Sequence, residues 1–412
     1  MKKLSDAFFP GARVFLPGQS GESQLLLDEL GAEPERARDI HVIGVHFPGI
    51  GRADYLGLHP GVRQTSFFMS PSARSGMREG RAEVLPLDYA GIVRYLRGMP
   101  SVDVAVAQLS APDERGFCSI GLCADFLPLV WARARRRVGH INPDLPRTDG
   151  SFRVHIQELD DVVEQACPVV TYPDSRPSDI EQRIGVHVAS LVHDGDTLQF
   201  GIGSVPMAIA NSLANHRKLK LRSGMVSASA RTLWEASALD FDARIVTGCA
   251  LGRTDFYDFL ADNEKFWFTD ASNTHDVAAL AKIPGFIAIN SAVEVDLFGQ
   301  VNSERADGAI QAGAGGLPVF AQAALQSQGG RVLICLSASA KRGAISRIVP
   351  ALNDKALCTL PRYMADVVIT EYGIAEIRNL SMDARAQALI RIAAPEHQAS
   401  LSSSWQALRD KL

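Results

Sequence analysis

The sequence predicts an α/β fold in which mainly parallel sheets are covered by helices. Short runs rich in valine, isoleucine and leucine alternate with longer segments of helical periodicity, and this alternation is typical of βαβ units. The chain has 412 residues, of which 46% are hydrophobic and 21% are charged. This length and composition indicate a globular protein that is large enough for two domains.

Apolar runs bounded by turn-forming residues predict the strands, and apolar residues at helical spacing predict the helices. In the first half, strands are expected at residues 12–16, 41–45 and 102–108. In the second half, they are expected at residues 197–200, 245–247, 286–289, 332–337 and 367–370. The clearest helices are expected at residues 180–191, 206–213 and 227–238.

The segment 171–179 is the predicted domain boundary. Two prolines and several turn-forming residues separate an apolar run from the start of a new helix. Ser178 or Asp179 is expected to cap that helix at its N-terminus. We therefore predict two α/β domains, formed by residues 1–176 and 177–412.

Composition excludes several classes of function. With 42 basic and 46 acidic residues, the net charge of −4 does not suit a nucleic-acid-binding protein. The six cysteines form no CxxC pair and the ten histidines no HExxH motif, so no metal site is predicted. No apolar run is long enough to cross a membrane. An acid and a proline interrupt the start of the chain, which excludes a secretion signal and favours the cytoplasm.

The most informative segment is a glycine turn, defined as residues Gly201, Ile202, Gly203, Ser204 and Val205. An apolar strand runs into Gly-Ile-Gly, and a proline then follows at a position that suits the first turn of a helix. Backbone N–H groups at such a helix start bind a phosphate, a pantetheine carbonyl or a developing oxyanion. The same glycines also suit a tight βα turn without a ligand, and the GxGxxG spacing is not met.

Two acids and a second pair of glycines are further candidates for the site. Glu294 and Asp296 lie two residues apart in an extended segment, so both side chains face either one cleft or solvent. Glu371 follows an apolar strand, at the end where open α/β sheets bind ligands, or else it serves as a hydrogen-bonding residue. Gly315 and Gly316 allow the backbone to approach a ligand closely.

Several stretches together resemble a known family. Residues 102–121, 142–148, 201–206, 293–303, 345–350 and 370–375 are similar to the acetyl-CoA hydrolase/transferase family, the class I CoA-transferases that include 4-hydroxybutyrate CoA-transferases. The resemblance implies two NagB/RpiA-like domains, with most of the acyl-CoA site in the second, and a homodimer is compatible with it. It also implies coenzyme A as part of the substrate, with residues 201–205 at the thioester and Gly315 and Gly316 near the pantetheine.

The sequence departs from this family at one decisive position. Relatives carry a glutamate directly before a methionine. This glutamate attacks the thioester and becomes a glutamyl-CoA intermediate. Here residues 221–227 read Leu-Arg-Ser-Gly-Met-Val-Ser, so that Gly224 occupies the position of the nucleophile. Because glycine has no side chain, this covalent route requires another carboxylate.

Three functions are compatible with the family resemblance and with a glycine at the position of the nucleophile. The first is CoA transfer from an acyl-CoA to a carboxylic acid, with Glu294 or Glu371 as the replacement nucleophile. The second is an acyl-CoA hydrolase, or a direct acyltransferase, that forms no glutamyl-CoA because Gly224 leaves room for water or another acceptor. The third is a non-catalytic acyl-CoA-binding subunit or sensor. The expected partners are therefore an acyl-CoA and an acceptor acid or water.

Overall fold

The computed structural model of the protein describes residues 2–174, 176–353 and 356–411. Within these ranges it contains one sheet of seven strands and one of nine strands, with helices on their faces. The α/β prediction is therefore confirmed. Each predicted strand and helix overlaps an observed one, with ends that differ by at most a few residues. In the same described ranges, no helix combines the length and hydropathy that crossing a bilayer requires.

The strands are numbered in chain order. They are β1 Arg13–Phe15, β2 His41–Ile43, β3 Arg63–Ser66, β4 Ala82–Val84, β5 Val104–Leu109, β6 Phe117–Ser119, β7 Arg136–Ile141, β8 Asp149–Gly150, β9 Arg153–His155, β10 Asp161–Glu164, β11 Thr197–Gln199, β12 Lys220–Val226 and β13 Ile245–Ala250. Then follow β14 Phe266–Phe268, β15 Phe286–Ser291, β16 Glu294–Asp296, β17 Val301–Asn302, β18 Arg305–Ala306, β19 Ala309–Ile310, β20 Arg331–Cys335, β21 Ser339–Ala340, β22 Ile345–Ser346, β23 Ile348–Val349, β24 Val367–Thr370 and β25 Gly373–Glu376.

The helices are numbered in the same way. They are α1 Gln24–Ala32, α2 Tyr55–Leu58, α3 Pro71–Arg78, α4 Tyr89–Gly98, α5 Leu127–Trp131, α6 Asp179–Ala189, α7 Ser204–Ser212, α8 Ala228–Glu235, α9 Thr254–Leu260, α10 Ala271–Thr274, α11 Val277–Leu280, α12 Leu317–Gln326, α13 Met382–Arg391 and α14 Pro395–Arg409. Short 3-10 turns lie at Leu4–Ala7, Gln19–Gly21, Pro34–Ala37 and Ile156–Glu158.

Both large sheets are built from parallel neighbours. The first has the order β10-β7-β5-β1-β2-β3-β4, with every pair parallel. The second has the order β25-β24-β20-β15-β11-β12-β13-β14-β8, and only its β24–β25 edge is antiparallel. Its last strand, β8, comes from the first half of the chain. The division into domains of residues 1–176 and 177–412 stays a prediction. Strand β8 belongs to the first of these segments but pairs with the sheet of the second.

Local sequence explains where the second half begins. Ser178 is the N-cap of α6, as predicted, and its side chain accepts a hydrogen bond from the Glu181 backbone N–H. The Glu181 carboxylate in turn accepts from the Ser178 N–H at 2.7 Å, which completes a capping box. Ser175, within the predicted boundary segment, lies outside the described residues.

Apolar packing continues from one half of the chain to the other. All six residues of β5 are buried, as expected for a parallel strand covered by helices on both faces. A single apolar cluster joins Tyr89 and Phe126 of the first half to Phe268 and Ala271 of the second half. The carboxyl ends of the second sheet therefore lie against residues of the first half.

Candidate active site

The glycine turn, residues 201–205, lies at the carboxyl end of β11 and leads into α7. Gly203 is the N-cap residue with φ of 107° and ψ of −167°, a backbone conformation that is open only to glycine. The backbone N–H groups of residues 201–205 donate no hydrogen bond to any described residue. Unpaired N–H groups at a helix start, together with the positive end of the helix dipole, favour an anion or an oxyanion, and this role of residues 201–205 stays a prediction.

A hydrogen-bonded carboxylate fixes this turn to helix α6. The Ser204 hydroxyl donates to Glu181 Oε1, and Ser178 donates to the other oxygen of the same carboxylate at 2.8 Å. Burial acts to raise the pKa of the Glu181 carboxyl, but the hydrogen bonds from Ser204 and Ser178 outweigh it and lower the pKa. The start of α7 is thus held to α6 by a carboxylate whose charged form is favoured.

Gly224 lies on β12, beside the glycine turn. β11 and β12 pair in parallel, with Leu198 opposite Leu221, and Gly201 follows the end of β11 while Gly224 lies within β12. The Ser223 hydroxyl donates to the carbonyl oxygen of Phe200 at 2.7 Å, which joins the two strands at this level. The turn and the glycine that the resemblance assigns to the nucleophile position therefore lie together.

The space beside Gly224 is filled by the imidazole of His275. A Cβ atom added to Gly224 would lie 2.8 Å from Cε1 and 3.1 Å from Nε2 of His275. A Cβ atom added to Gly316 would lie 2.5 Å from the same Nε2. Contacts this short do not occur for real Cβ atoms, so both positions require glycine around this ring. Gly224 and Gly316, which the resemblance placed at the acyl-CoA, thus both lie against the Nε2 end of one histidine ring.

Two aromatic rings hold the imidazole in place. Tyr89, from the first half, lies 4.2 Å from the His275 ring, centroid to centroid, and Phe320 of α12 lies 4.5 Å from it. The Tyr89 backbone N–H also donates to the Gly315 carbonyl oxygen at 3.1 Å. Burial lowers the pKa of His275 to about 3, so the ring is neutral at physiological pH.

A buried acid lies one strand further along the sheet. Asp125 has φ of 27°, which is unusual for a residue other than glycine. A Cβ atom added to Gly248 of β13 would lie 3.0 Å from the Gly224 carbonyl oxygen and 3.4 Å from Asp125 Oδ1. The Asp125 carbonyl oxygen accepts from the Ala271 N–H at 2.7 Å. Asp125 therefore connects the first half to β13, which lies beside Gly224, and to α10, which His275 follows.

Asp125→Asn is expected to change how stability depends on pH. Burial, with smaller effects of Cys249 and Asp270, raises the pKa of Asp125 well above its usual value. The folded state then binds a proton that the unfolded state has released, so stability falls as pH rises above about 4, by up to about 1.4 kcal/mol per pH unit. Asparagine cannot titrate and tolerates positive φ.

Urea unfolding between pH 4.5 and pH 8 measures this effect. The variant is expected to lose less free energy of unfolding than the wild type over that interval. Asp258→Asn, at an exposed position of α9, is the control and is expected to follow the wild type. Parallel pH profiles for Asp125→Asn and the wild type would contradict the assignment of a protonated Asp125.

The two acids predicted as nucleophiles lie elsewhere. Glu371 follows β24, four strands from β12 in the sheet order, or roughly 19 Å at ordinary strand spacing. Its carboxylate accepts from the Ala338 N–H at 2.8 Å. Glu294 accepts from Asn302 Nδ2 at 2.9 Å and borders a separate cavity of about 360 Å³. Neither carboxylate is among the groups beside Gly224, so their catalytic role stays a prediction.

Asp296 faces neither a cleft shared with Glu294 nor solvent, contrary to both orientations considered for this pair. Its side chain is fully buried. It accepts from the Gln300 N–H at 2.8 Å and from Gln300 Nε2 at 2.7 Å, and also from the Leu352 N–H at 3.1 Å. This carboxylate therefore organises the β16–β17 turn and the segment beside it.

Three residues of the site were not predicted from the sequence: Tyr89, Asp125 and His275. His275 is a single histidine at the end of a four-residue helix, and no local pattern distinguishes it from other histidines. The three come together only because the two halves pack on each other. Within the described ranges, no group of three or more His, Cys, Asp or Glu side chains is arranged to hold a metal ion.

Two family models match the chain. The model of the acetyl-CoA hydrolase/transferase N-terminal domain matches residues 3–172. The model of the acetyl-CoA hydrolase/transferase C-terminal domain matches residues 252–405. Neither match includes the stretch between them, which contains the glycine turn and Gly224.

Known proteins are similar to the chain over most of its length. It is 32% identical over 372 residues to the 4-hydroxybutyrate coenzyme A transferase of Clostridium kluyveri, covering 88% of this chain and 86% of that protein. A crystal structure of 4-hydroxybutyrate CoA-transferase from Porphyromonas gingivalis matches with a TM-score of 0.82 at 25% identity, covering 100% of this chain and 97% of that one. RipA from Yersinia pestis matches with a TM-score of 0.90 at 24% identity, covering 99% and 97%, which shows the fold alone.

Proposed function

Because the chain belongs to the acetyl-CoA hydrolase/transferase family, we propose that it breaks acyl-CoA thioesters by direct attack of water, without a CoA-linked enzyme intermediate. Relatives are CoA transferases and acetyl-CoA hydrolases, so the chain is an enzyme of this type and CoA is part of its substrate. The proposal concerns the group that attacks the thioester, for which the sequence offers Gly224 at the position that the resemblance assigns to the nucleophile.

The observation that supports the proposal is the packing around Gly224. The three described atoms nearest to a Cβ atom built there, apart from the flanking residues, are two atoms of the His275 ring and Phe320 Cζ, the last at 3.9 Å. A carboxylate nucleophile must approach the thioester carbon to about 3–3.5 Å. With a neutral imidazole and a phenyl ring in this space, no carboxylate of the described residues is among the atoms nearest to the position that a covalent route requires.

The site retains the groups that cleavage by water needs. The free N–H groups of the glycine turn, residues 201–205, stabilise negative charge on the carbonyl oxygen when water attacks the thioester carbon. The carbon–sulfur bond then breaks, CoA leaves as a thiolate, and the proton released by the water neutralises it. The products are a free acid and CoA thiol. Preorganised donors of this kind supply a large share of the rate in acyl transfer.

Release of free thiol from a panel of acyl-CoAs tests this function. The wild-type enzyme is expected to release CoA thiol without any added carboxylic acid, at a rate that does not rise when acetate or succinate is added. Strict dependence on an added acid would contradict hydrolysis. Tight CoA binding without turnover of any acyl-CoA would contradict the proposal as a whole, and would favour an acyl-CoA-binding subunit or sensor.

CoA transfer through a ternary complex is the second candidate. Its support is the 32% identity to a 4-hydroxybutyrate coenzyme A transferase over 86% of that protein. A bound carboxylic acid would attack the thioester to give a mixed anhydride and CoA thiolate. The thiolate would then attack the carbonyl of the acceptor, forming the new acyl-CoA and releasing the original acid. Intersecting lines in two-substrate kinetics, with dependence on the acid, would favour this route over hydrolysis.

A further inference from the structure

The ring of His275 has one nitrogen with a partner and one without. Nδ1 lies 2.8 Å from the Thr274 hydroxyl, and the Thr274 side chain is fully buried. No hydrogen bond to Nε2 is present among the described residues. Nε2 is not among the fully buried side-chain atoms that lack a partner, so this nitrogen keeps access to space that a ligand can enter.

The Thr274 hydroxyl decides which nitrogen carries the proton. If Nδ1–H donated to this oxygen, the threonine O–H would be left without an acceptor, and the Nε2 lone pair would also be unpaired. If the threonine O–H donates to Nδ1, the hydroxyl and Nδ1 are both satisfied, and the Nε2–H donor is the only group of the pair without a partner among the described residues. The second arrangement leaves fewer buried polar groups unpaired, so it is the one we assign.

The unpaired donor faces the space between two glycines. A Cβ atom at Gly316 would lie 2.5 Å from Nε2 and one at Gly224 would lie 3.1 Å from it, so any other residue would cover this nitrogen. Gly201 of the glycine turn follows β11, and β11 pairs with β12, the strand that carries Gly224. A small planar group entering beside the turn therefore meets backbone N–H groups on one strand and the imidazole next to the adjoining strand.

We propose that His275 is a catalytic residue whose Nε2–H donates a hydrogen bond to the carbonyl oxygen of the acyl-CoA thioester. This inference rests on the proposed function. The bond strengthens as negative charge develops on that oxygen during attack, and no proton is transferred to or from the ring. Burial, which lowers the pKa of His275 to about 3, keeps the imidazole neutral, and a neutral imidazole of low pKa is a suitable donor to an oxyanion.

Thr274 has a distinct role in this scheme. Its hydroxyl does not reach the substrate, but by donating to Nδ1 it selects the ring tautomer with Nε2–H. Thr274 is therefore a positioning residue. Tyr89 and Phe320 hold the plane of the ring, with centroid distances of 4.2 Å and 4.5 Å.

Variants of His275 and Thr274 separate catalysis from structure. His275→Leu removes the donor and is expected to lower kcat by about 10²–10³-fold, with KM changed by less than about threefold, because the donor acts mainly in the transition state. His275→Gln retains an N–H donor and is expected to recover kcat to within about tenfold of the wild type. Thr274→Val is expected to lower kcat about tenfold with KM unchanged.

The control is His216→Gln, at a histidine that follows the far end of α7 and bonds the Val192 carbonyl oxygen at 3.1 Å. It is expected to keep the wild-type kcat. Nitrogen-15 NMR of the His275 ring gives an independent readout. The wild-type enzyme is expected to carry its proton on Nε2 from pH 5 to pH 8, whereas Thr274→Val is expected to populate the Nδ1–H tautomer.

The possible outcomes distinguish the two proposals. A His275→Leu enzyme with wild-type kcat, or an Nδ1–H tautomer in the wild type, would overturn the role of His275 and leave thioester cleavage standing. Absence of any thioester turnover in the wild type would overturn the proposed function, and the role of His275 with it. Should His275→Leu fail to fold, Thr274→Val decides: an unchanged kcat there would overturn the inference.

Discussion

Gly224→Glu alone is expected to destabilise the enzyme and to form no covalent CoA adduct. The new Cβ atom would lie 2.8 Å from Cε1 of His275, and the ring cannot move away because Tyr89 and Phe320 pack against it. Overpacking of this kind costs about 1–3 kcal/mol of the free energy of unfolding. The carboxylate would also be forced away from the place where a thioester carbon binds.

Gly224→Glu combined with His275→Ala is expected to recover the stability that Gly224→Glu loses and to introduce covalent chemistry, at a rate lowered by the absence of the His275 donor. Removing the imidazole opens the space that the glutamate needs. Its carboxylate would attack the thioester and expel CoA thiolate, which would then attack the glutamyl carbonyl and release the free acid, leaving a glutamyl-CoA adduct on the enzyme. Intact-mass spectrometry after mixing with acyl-CoA measures the adduct, and urea unfolding measures the stability.

Gly31→Glu is the control for adding a carboxylate at a glycine. No atom lies within 4 Å of a Cβ built on this residue of α1, so no loss of stability is expected. A full CoA adduct on Gly224→Glu alone, at wild-type stability, would show that His275 does not exclude a nucleophile from this position.

Gly203→Ala is expected to have the second-largest effect. Its backbone, with φ of 107° and ψ of −167°, lies in a region essentially closed to residues with a Cβ atom, and such strain costs about 1–3 kcal/mol. Relief of the strain would rotate the peptide groups of the glycine turn and misdirect the N–H groups at the start of α7. Loss of an oxyanion donor costs about 10²–10³-fold in kcat.

Unfolding and thiol release measure the two effects of Gly203→Ala. The matched control for stability is Gly98→Ala, because no atom lies within 4 Å of a Cβ there and Gly98 ends helix α4. In a helix, alanine is favoured over glycine by up to about 1 kcal/mol, so this control is expected to be at least as stable as the wild type. Equal stability and kcat for Gly203→Ala and the wild type would show that the observed turn conformation is not required.

Strands with continuous apolar runs are readily predicted from sequence, whereas strands held by their neighbours are not. The segment 367–370 is predicted with the same bounds as β24 because all four of its residues are apolar or small and buried. In contrast, β12 is not predicted because Lys220, Arg222 and Gly224 interrupt any apolar pattern. Its extended conformation comes from parallel pairing with β11 and β13, an effect of the sheet that local propensity does not contain.

Some residues of the candidate site can likewise be predicted from sequence and others cannot. The glycine turn is a local signal, because strand, glycines and helix start follow one another along the chain. His275 carries no such signal, since its importance depends on Gly224 and Gly316, which are distant in sequence and adjacent in space. Asp125 likewise carries no local signal, because its backbone partners, Gly248 and Ala271, are distant in sequence. Sequence therefore predicts a site where its residues are consecutive in the chain. Residues that only tertiary packing brings together are not predicted.

A single turnover in ¹⁸O-labelled water tests most directly which group attacks the thioester. With enzyme in excess over acyl-CoA, direct attack by water places one ¹⁸O atom in the first acid released, and we expect this labelled acid. If an enzyme carboxylate attacked instead, the new oxygen of that first acid would come from the unlabelled enzyme. An unlabelled acid in the first turnover would therefore contradict direct attack by water and the assignment of Gly224 as a site without a nucleophile.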